Sequence, residues 1–290
     1  MPLRKELVVA TRPQKTLKKE VSFAGIGIHT GEQVNVSFSP APVDTGIVFQ
    51  RVDLPGKPTI PATIDYLQDT SRSTNIGTDK AKIHTVEHLL AAFKAYQVDN
   101  LCVQIGAGEP PIGDGSSQLF VDLIEESGVV EQKGEKPLLS LKEPIYWSEG
   151  PIHLVALPSD SLRISYTLDY PNVPAIRSQY FSLVIDRESF KNELARCRTF
   201  SLYEEVKFLM EKGLIKGGSL ENGVIIEKDA VFSKDGLRFP NEMVRHKVLD
   251  LVGDLSLVGY DFHAHVIAIR SGHAANAALS RLLLNYFVTE

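Results

Sequence analysis

Three residues that can bind a metal ion or transfer a proton recur at helical spacing near the end of the chain. His246, Asp250 and Asp254 stand four residues apart, so a helix over this stretch places one imidazole and two carboxylates on one face. Buried charges are costly unless they are paired or bind a metal. The pattern therefore indicates either a metal site or a solvated polar face on which Arg245 and Lys247 pair with the carboxylates.

An earlier stretch repeats this pattern. His84 aligns with His246, and His88 aligns with Asp250. One constant offset also aligns Val86 with Val248, Leu89 with Leu251, Asp99 with Asp261 and Ile105 with Ile267. In each copy a segment of helical periodicity runs into an alternating, strand-like segment. The sequence therefore predicts a duplicated helix–strand unit whose helices meet at a pseudo-two-fold axis, where a metal can take ligands from both halves.

The repeat also assigns the faces of the two strands. In the first strand three apolar residues alternate on one side: Leu101, Val103 and Ile105. The constant offset puts three other residues on the equivalent side of the second strand: His263, His265 and Ile267. The first helix is predicted from about residue 85 to residue 96.

The polar residues of the two copies together suit a catalytic metal site. Such a zinc site commonly has three nitrogen or oxygen ligands from the protein, which His88, His246 and Asp250 can supply. Glu87 lies about 100° around the helix from His88, where it can take a proton from a water whose pKa the metal lowers. The alternative for Glu87 is an ordinary surface glutamate. His84 falls at the helix start and is interpreted as a residue outside the ligand set, which either supports the ligands from behind or is structural.

His273 opens the last predicted helix and is a candidate acid. The helix dipole there disfavours an imidazolium ion, but Asp254, one turn beyond Asp250, can offset this by pairing with His273. A cationic histidine beside a zinc ion can donate a proton to a leaving amine or stabilise an oxyanion. By spacing alone, an ordinary histidine at a helix start explains the position equally well.

Composition narrows the class of protein. With 290 residues, 43% of them hydrophobic and 23% charged, two compact domains are the expectation. A net charge of −5 argues against nucleic-acid binding as the main role. Two cysteines, Cys102 and Cys197, argue against a disulfide framework and fit a reducing cytoplasm. No apolar run approaches the length of an integral membrane segment, and we expect a monomer.

The division into domains follows changes in polarity along the chain. The first domain is predicted over 1–130 and the second over 137–290, with a polar linker over 127–136. The basic N-terminal residues are expected to form a frayed, solvated tail. An insert around 199–228 has no counterpart in the first half and is a natural place for substrate specificity.

A glycine-rich stretch, Gly25 to Gly31, superficially has the pattern of a dinucleotide-binding loop. A strand-like segment rather than a long helix follows it, so we reject that interpretation. The glycines are expected to permit a tight turn.

Several blocks, in order along nearly the whole chain, resemble the UDP-3-O-acyl-N-acetylglucosamine deacetylase family. That family comprises the zinc amidases of the committed step of lipid A biosynthesis in Gram-negative bacteria. The blocks are Gly25-x-Gly27-x-His29-x-Gly31, Thr85-Val86-Glu87-His88-Leu89, Asp114-Gly115-Ser116, Arg198-Thr199-Phe200, Gly217-Gly218-Ser219, Asp235-Gly236-Leu237-Arg238-Phe239, Arg245-His246-Lys247, Gly253-Asp254-Leu255 and Ser271-Gly272-His273-Ala274.

The resemblance implies an α+β fold of two similar, duplicated two-layer sandwich domains with the active site at their junction. It implies zinc on His88, His246 and Asp250, and it leaves His84 out. It implies Glu87 as general base and His273 as general acid, with Asp254 orienting His273.

The resemblance also implies how the substrate is held. Thr199 would help to stabilise the oxyanion, Lys247 would bind the nucleotide-phosphate end, and Phe200 would contact the sugar. The segment 206–218, with Ile215 and Gly218, would form an apolar passage for the acyl chain. The sequence departs from some family members near Ser71-Arg72-Ser73, which leaves the shape of the entrance open.

Other functions stay open from the residues alone. Iron can replace zinc, because nitrogen and carboxylate donors accept several divalent ions. The inverted motif His84-x-x-Glu87-His88 is compatible with a zinc peptidase. The third possibility is a non-catalytic protein that binds a sugar nucleotide or a lipid. Such a protein would be expected to lack Glu87 or His273, and both are present.

Overall fold

Strands and helices follow one another along residues 2–289, the part of the chain that the computed structural model describes. The helices are α1 (Glu87–Ala95), α2 (Gln118–Ser127), α3 (Arg187–Glu193), α4 (Tyr203–Glu211), α5 (Glu242–Ser256) and α6 (His273–Phe287). The strands of the first half are β1 (Val8–Leu17), β2 (Val21–Ile26), β3 (Gln33–Pro40), β4 (Ile47–Arg51), β5 (Thr59–Pro61), β6 (Leu67–Asp69), β7 (Asn75–Thr78), β8 (Ala81–Ile83) and β9 (Leu101–Ile105). Those that follow are β10 (Val129–Ser140), β11 (Ile145–Glu149), β12 (Ile152–Leu157), β13 (Leu162–Tyr170), β14 (Arg177–Val184), β15 (Phe200–Leu202), β16 (Val224–Glu227), β17 (Ala230–Phe232) and β18 (Asp261–Ile269). The predicted α+β class is confirmed.

Two sheets share one strand order. The first half has the order β2-β3-β9-β4-β5, and the same places in the second half are taken by β11, β12, β18, β13 and β14. In each sheet the central strand is antiparallel to one neighbour and parallel to the other. Helices α1 and α5 precede the two central strands, β9 and β18. The chain therefore repeats one helix–strand unit, as predicted.

The central strands do not keep the constant offset of the helices. β9 buries Leu101, Val103 and Ile105, whereas the buried side of β18 consists of Phe262, Ala264, Val266 and Ala268. Between Ala95 and the first buried residue of β9 lie residues 96–100, whereas between Leu257, the equivalent of Ala95, and the first buried residue of β18 lie residues 258–261. One residue fewer turns every following side chain to the opposite face of the strand. The predicted faces of His263, His265 and Ile267 are therefore wrong.

The N-terminal residues and the predicted linker form strands that pair with each other. β1 runs antiparallel to β10, and β10 runs parallel to the start of β18. The prediction of a solvated tail is thus wrong for Val8–Leu17, and the prediction of a linker over 127–136 is wrong because Val129–Ser140 is a strand. Both strands carry many exposed side chains, which explains their polar sequences. The domain limits 1–130 and 137–290 stay a prediction.

Helices α1 and α5 pack against each other where the two halves meet. A Cβ atom on Gly253 would lie only 2.1 Å from the carbonyl oxygen of Glu87, so glycine is required for this approach of two backbones. α1 begins at Glu87, slightly later than predicted, because Thr85 has a φ of 56°, which a right-handed helix excludes.

Arg12 of β1 binds both copies of the repeat. Its Nη1 and Nη2 atoms donate to Asp99 Oδ2 at 2.7 Å and Oδ1 at 2.8 Å. Its Nε atom donates to Asp261 Oδ2 at 2.9 Å, and Lys94 Nζ donates to Asp261 Oδ1 at 2.7 Å. Asp99 and Asp261 align under the constant offset, so one guanidinium holds the equivalent carboxylates of the two halves together.

Candidate active site

Three potential metal ligands come together between α1 and α5. His88, His246 and Asp250 each offer an atom within 4.8 Å of the others, and all three residues are buried. The Nε2 atoms of His88 and His246 lie 3.2 Å apart. His88 Nε2 lies 3.7 Å from Asp250 Oδ1, and His246 Nδ1 lies 3.4 Å from Asp250 Oδ2. Helix α5 places His246 and Asp250 one turn apart, as the sequence predicts.

Unsatisfied polar atoms in this group fit a bound cation. Within residues 2–289, His246 Nδ1 and Asp250 Oδ1 are buried and have no hydrogen-bond partner. A buried polar atom without a partner is unfavourable, and native structures have few of them. Two imidazoles and one carboxylate are donors that zinc and iron accept. The donor set therefore fits a divalent transition metal.

The charges of the group also favour a cation. Burial, together with the neighbouring His246, lowers the pKa of His88 to about 3, so this imidazole is neutral and its lone pair is available. Burial alone would raise the pKa of Asp250, but His246 and Lys247 outweigh it and hold that pKa well below its usual range. Lys247 Nζ donates to Asp250 Oδ2 at 3.0 Å. The group therefore presents a neutral imidazole and an anionic carboxylate.

Glu87, the first residue of α1, is buried beside the ligand group. Its Oε2 atom accepts a hydrogen bond of 2.9 Å from the backbone N–H of Thr74. Burial raises the pKa of Glu87 to about 7, a value suited to a group that takes up and releases a proton near neutral pH. Because Glu87 is buried, the alternative of an ordinary surface glutamate is wrong.

His273, the first residue of α6, is held by Asp254 from α5. His273 Nδ1 lies 2.9 Å from Asp254 Oδ2. Burial would lower the pKa of His273, but the carboxylates of Asp254, Glu87 and Asp250 outweigh it and raise the pKa to about 9. The imidazole is therefore cationic at neutral pH and can donate a proton. The predicted pairing of Asp254 with His273 is present in the fold.

Sequence reasoning missed two residues that hold this pair. Asn276 Nδ2 donates to Asp254 Oδ2 at 2.8 Å, and its place one turn after His273 on α6 is a signal that could have found it. Thr74 Oγ1 donates to Asp254 and lies 3.1 Å from His273 Nδ1. Thr74 belongs to the other half of the chain, so no local pattern points to it.

A cavity of about 1000 Å³ opens beside these groups. Most predicted site residues line it: Glu87, His88, Thr199, Phe200, Ile215, Gly218, His246, Lys247, Asp250 and His273. Asp254 is not among the lining residues, which agrees with a position behind His273. Lys247 Nζ lies 5.7 Å from the centre of the Phe200 ring, which also meets the His246 ring edge-on at 6.4 Å.

One part of the cavity wall is apolar and belongs to the insert. Helix α4 and the residues around it contribute five apolar side chains: Leu202, Val206, Leu209, Met210 and Ile215. A cavity of this size with an apolar wall and a few convergent polar groups can enclose a ligand that is partly polar and partly hydrocarbon.

Of the remaining residues that the sequence singled out, His29 and Arg72 line the cavity and His84 does not. His84 is exposed, and the group of His88, His246 and Asp250 does not include it. His29 lines the cavity, and burial lowers its pKa. Arg72, which also lines the cavity, bridges to Glu205 of α4 at 3.2 Å. The two halves therefore also meet at this part of the cavity wall.

None of the helices within residues 2–289 combines the length and the apolar character that crossing a bilayer requires.

Comparison with known proteins places the chain in a family. The family model described as UDP-3-O-acyl N-acetylglycosamine deacetylase matches residues 14–285. The UDP-3-O-acyl-N-acetylglucosamine deacetylase of Chlamydia pneumoniae is 50% identical over 274 residues, which cover 94% of this chain and 97% of the relative. The enzymes of the same name from Chlamydia felis (strain Fe/C-56) and Chlamydia trachomatis serovar L2 (strain ATCC VR-902B / DSM 19102 / 434/Bu) are 50% and 48% identical over 273 residues, with 94% of this chain and 97% and 95% of the relatives covered. With a match over nearly its whole length and a buried group of potential metal ligands at its centre, the chain belongs to the UDP-3-O-acyl N-acetylglycosamine deacetylase family.

Proposed function

We propose that the protein hydrolyses the N-acetyl group of UDP-3-O-acyl-N-acetylglucosamine, giving acetate and the free-amine sugar nucleotide, in the committed step of lipid A biosynthesis. The observation that carries the proposal is the convergence of His88, His246 and Asp250 with Glu87 and His273 on one cavity. The names of the relatives, which share about half of its residues, support the substrate.

His88, His246 and Asp250 are the proposed ligands of a zinc ion, which iron can replace. The close approach of their donor atoms and the unpartnered atoms of His246 and Asp250 support this assignment. A divalent ion in such a site acts as a Lewis acid toward a carbonyl oxygen and lowers the pKa of water.

Glu87 is the proposed general base. Its buried carboxylate, with one oxygen fixed by the N–H of Thr74, takes the proton of the attacking water. His273 is the proposed general acid, and it protonates the departing amine nitrogen. Asp254 holds the imidazole of His273 through Nδ1, which leaves Nε2 as the atom that gives up the proton.

Five other residues that line the cavity have proposed roles in binding the substrate or stabilising its intermediate. Thr199 helps to stabilise the oxyanion of the tetrahedral intermediate, as a fixed donor can. Lys247 binds the nucleotide-phosphate end, and Phe200 contacts the sugar. Ile215 and Gly218 belong to the wall of the acyl passage. All of these residues line the same cavity as the proposed ligands.

Release of acetate from UDP-3-O-acyl-N-acetylglucosamine, measured beside release of amine from peptides, tests the reaction. We expect acetate release that stops after chelation and returns when zinc or iron is added. Amine release from peptides without acetate release would replace the proposal with a metallopeptidase. Binding of the sugar nucleotide without turnover under either metal would indicate a binding protein.

The proposed compartment is the cytoplasm, and the proposed assembly is a monomer. Both cysteines, Cys102 and Cys197, are free thiols, which supports a reducing compartment. Light scattering of the purified protein measures the assembly state, and cell fractionation measures the location.

A further inference from the structure

The insert touches the first half of the molecule at the glycine-rich turn of residues 27–31, called here the glycine turn. The segment of residues 215–219, called here the insert loop, lies against it. The backbone N–H of Lys216 donates to His29 O at 3.1 Å, and the N–H of Gly217 donates to Ile28 O at 3.0 Å. Two successive backbone hydrogen bonds thus join the insert to the other half of the chain.

Glycine is required where these two segments approach. A Cβ atom on Gly217 would lie 2.2 Å from the carbonyl oxygen of Gly27, a distance that no side chain tolerates. A Cβ atom on Gly31 would lie 3.1 Å from Lys216 Cβ, and Gly31 has a φ of +68°, which favours glycine. The glycines predicted to permit a tight turn therefore also permit contact with the insert loop.

A buried carboxylate holds the glycine turn in place. Glu109 is 1% exposed. Its Oε1 atom accepts from the N–H and the hydroxyl of Thr30, both at 2.7 Å, and its Oε2 atom accepts from the N–H of His29 at 3.2 Å. Three hydrogen bonds to a buried charge fix the carbonyl groups that receive the insert loop.

The insert loop holds one residue in an unusual conformation. Ile215 has a φ of 49°, the left-handed region, which is an outlier for a β-branched residue. Such strain persists only where the surroundings determine it. Three hydrogen bonds fix the two residues that follow Ile215. Two of them are the bonds from Lys216 and Gly217 to the glycine turn, and in the third Asn222 Nδ2 donates to Gly217 O at 2.8 Å. Ile215 lines the cavity on its apolar side.

We propose that the contact between the glycine turn and the insert loop fixes Ile215 in the wall of the acyl passage and thereby sets the acyl-chain preference of the enzyme. This inference rests on the proposed function. Glu109 and Gly217 are positioning residues, which act on the acyl chain through Ile215. The contact lies on the first half of the chain, so the half that supplies His88 also shapes the passage built from the insert of the other half.

Gly217→Ala tests the contact directly, because the added methyl group meets Gly27 O. The measurement is kcat/KM for two UDP-3-O-acyl-N-acetylglucosamine substrates, one with a long acyl chain and one with an acetyl group in its place. We expect the ratio of long-chain to short-chain kcat/KM to fall roughly tenfold, because the long chain loses its fitted wall. The short-chain kcat should stay at the wild-type value, which a general loss of structure would not allow.

Gly108→Ala is the matched control, since a Cβ atom there has only one neighbour within 4 Å, at 3.9 Å, and it should keep the wild-type ratio. Glu109→Gln, which weakens the turn without adding bulk, should lower the ratio in the same direction by a smaller factor. An unchanged ratio in both Gly217→Ala and Glu109→Gln would overturn the inference. Absence of acetate release by the wild-type enzyme from both substrates would instead overturn the proposed function.

Discussion

The two halves of the molecule share a strand order but supply the candidate active site unequally. The first half contributes Glu87 and His88 from the first turn of the short helix α1. The second half contributes His246 and Asp250 from inside the longer helix α5. Under the constant offset, His88 and Asp250 are equivalent and lie together, whereas His84, the equivalent of His246, lies outside the group.

The position at which each helix begins explains this difference. α5 starts four residues before His246, so His246 lies on its inner face. α1 starts three residues after His84, because Thr85 has a left-handed backbone, and His84 is turned to solvent. The duplicated scaffold thus places equivalent positions at the junction, and the local backbone decides which side chain reaches it.

The largest effect is expected when the metal-binding candidate of the first half, His88, is replaced and compared with His84. His88→Ala should lose the bound metal on dialysis and bring acetate release to background, because one of the three proposed ligands is removed. His84→Ala, the control at the position equivalent to His246, should keep metal and activity. Metal content by atomic emission and acetate release measure the two outcomes. Equal metal loss in both variants would contradict the assignment of His88.

A second variant separates catalysis from metal binding. Glu87→Ala should retain the metal and lose about a hundredfold or more in kcat, since it removes a proton-transfer group. Glu126→Ala, a change at an exposed glutamate of α2, serves as the control and should keep the wild-type kcat. Wild-type turnover in Glu87→Ala would refute the role of the general base.

Gly253 and its first-half equivalent, Ala91, differ in their surroundings, because the backbones of α1 and α5 approach each other closely at Gly253. Gly253→Ala puts a methyl group against Glu87 O, so the free energy of unfolding should fall by about 1–3 kcal/mol. The metal dissociation constant should rise, because the helices that carry His88 and His246 are pushed apart. Ala91→Gly should cost about 1 kcal/mol through helix propensity and leave metal affinity unchanged. Urea unfolding and chelator competition measure both quantities.

The smallest effect on stability is expected from a change at Arg12, which binds the equivalent carboxylates of Asp99 and Asp261. Arg12→Lys keeps the charge but loses the forked geometry, and it should lower the free energy of unfolding by about 1 kcal/mol at pH 7. Burial would raise the pKa of Asp261, but Lys94 and Arg12 outweigh it and hold that pKa below its usual range.

The sign of the pH dependence follows from that lowered pKa. The ion pair contributes its full stability above the unfolded pKa of about 4, and the contribution is lost as the pH falls toward the lower folded value. The difference between wild type and Arg12→Lys should therefore be present at pH 7 and shrink below about pH 4. Urea midpoints over a pH series measure it, and a difference that is the same at every pH would contradict this account.

One part of the candidate site was easier to predict than the strand pairing. His246, Asp250 and Asp254 stand at helical spacing on α5, and helical neighbours are close in sequence. Polar strands such as β1 and β10 look like a tail and a linker, because a strand with one face in water carries little apolar signal. Their pairing is a contact between residues about 120 positions apart, which no local pattern records.

Periodicity along a few turns was enough to predict the helix–strand repeat and the face of α5 that carries His246, Asp250 and Asp254. Three features came from the folded structure alone: the exchanged faces of β18, the hydrogen bond from Thr74 to Asp254, and the contact between the glycine turn and the insert loop. Each of these depends on distances between segments far apart in the chain, which packing fixes and local propensity does not.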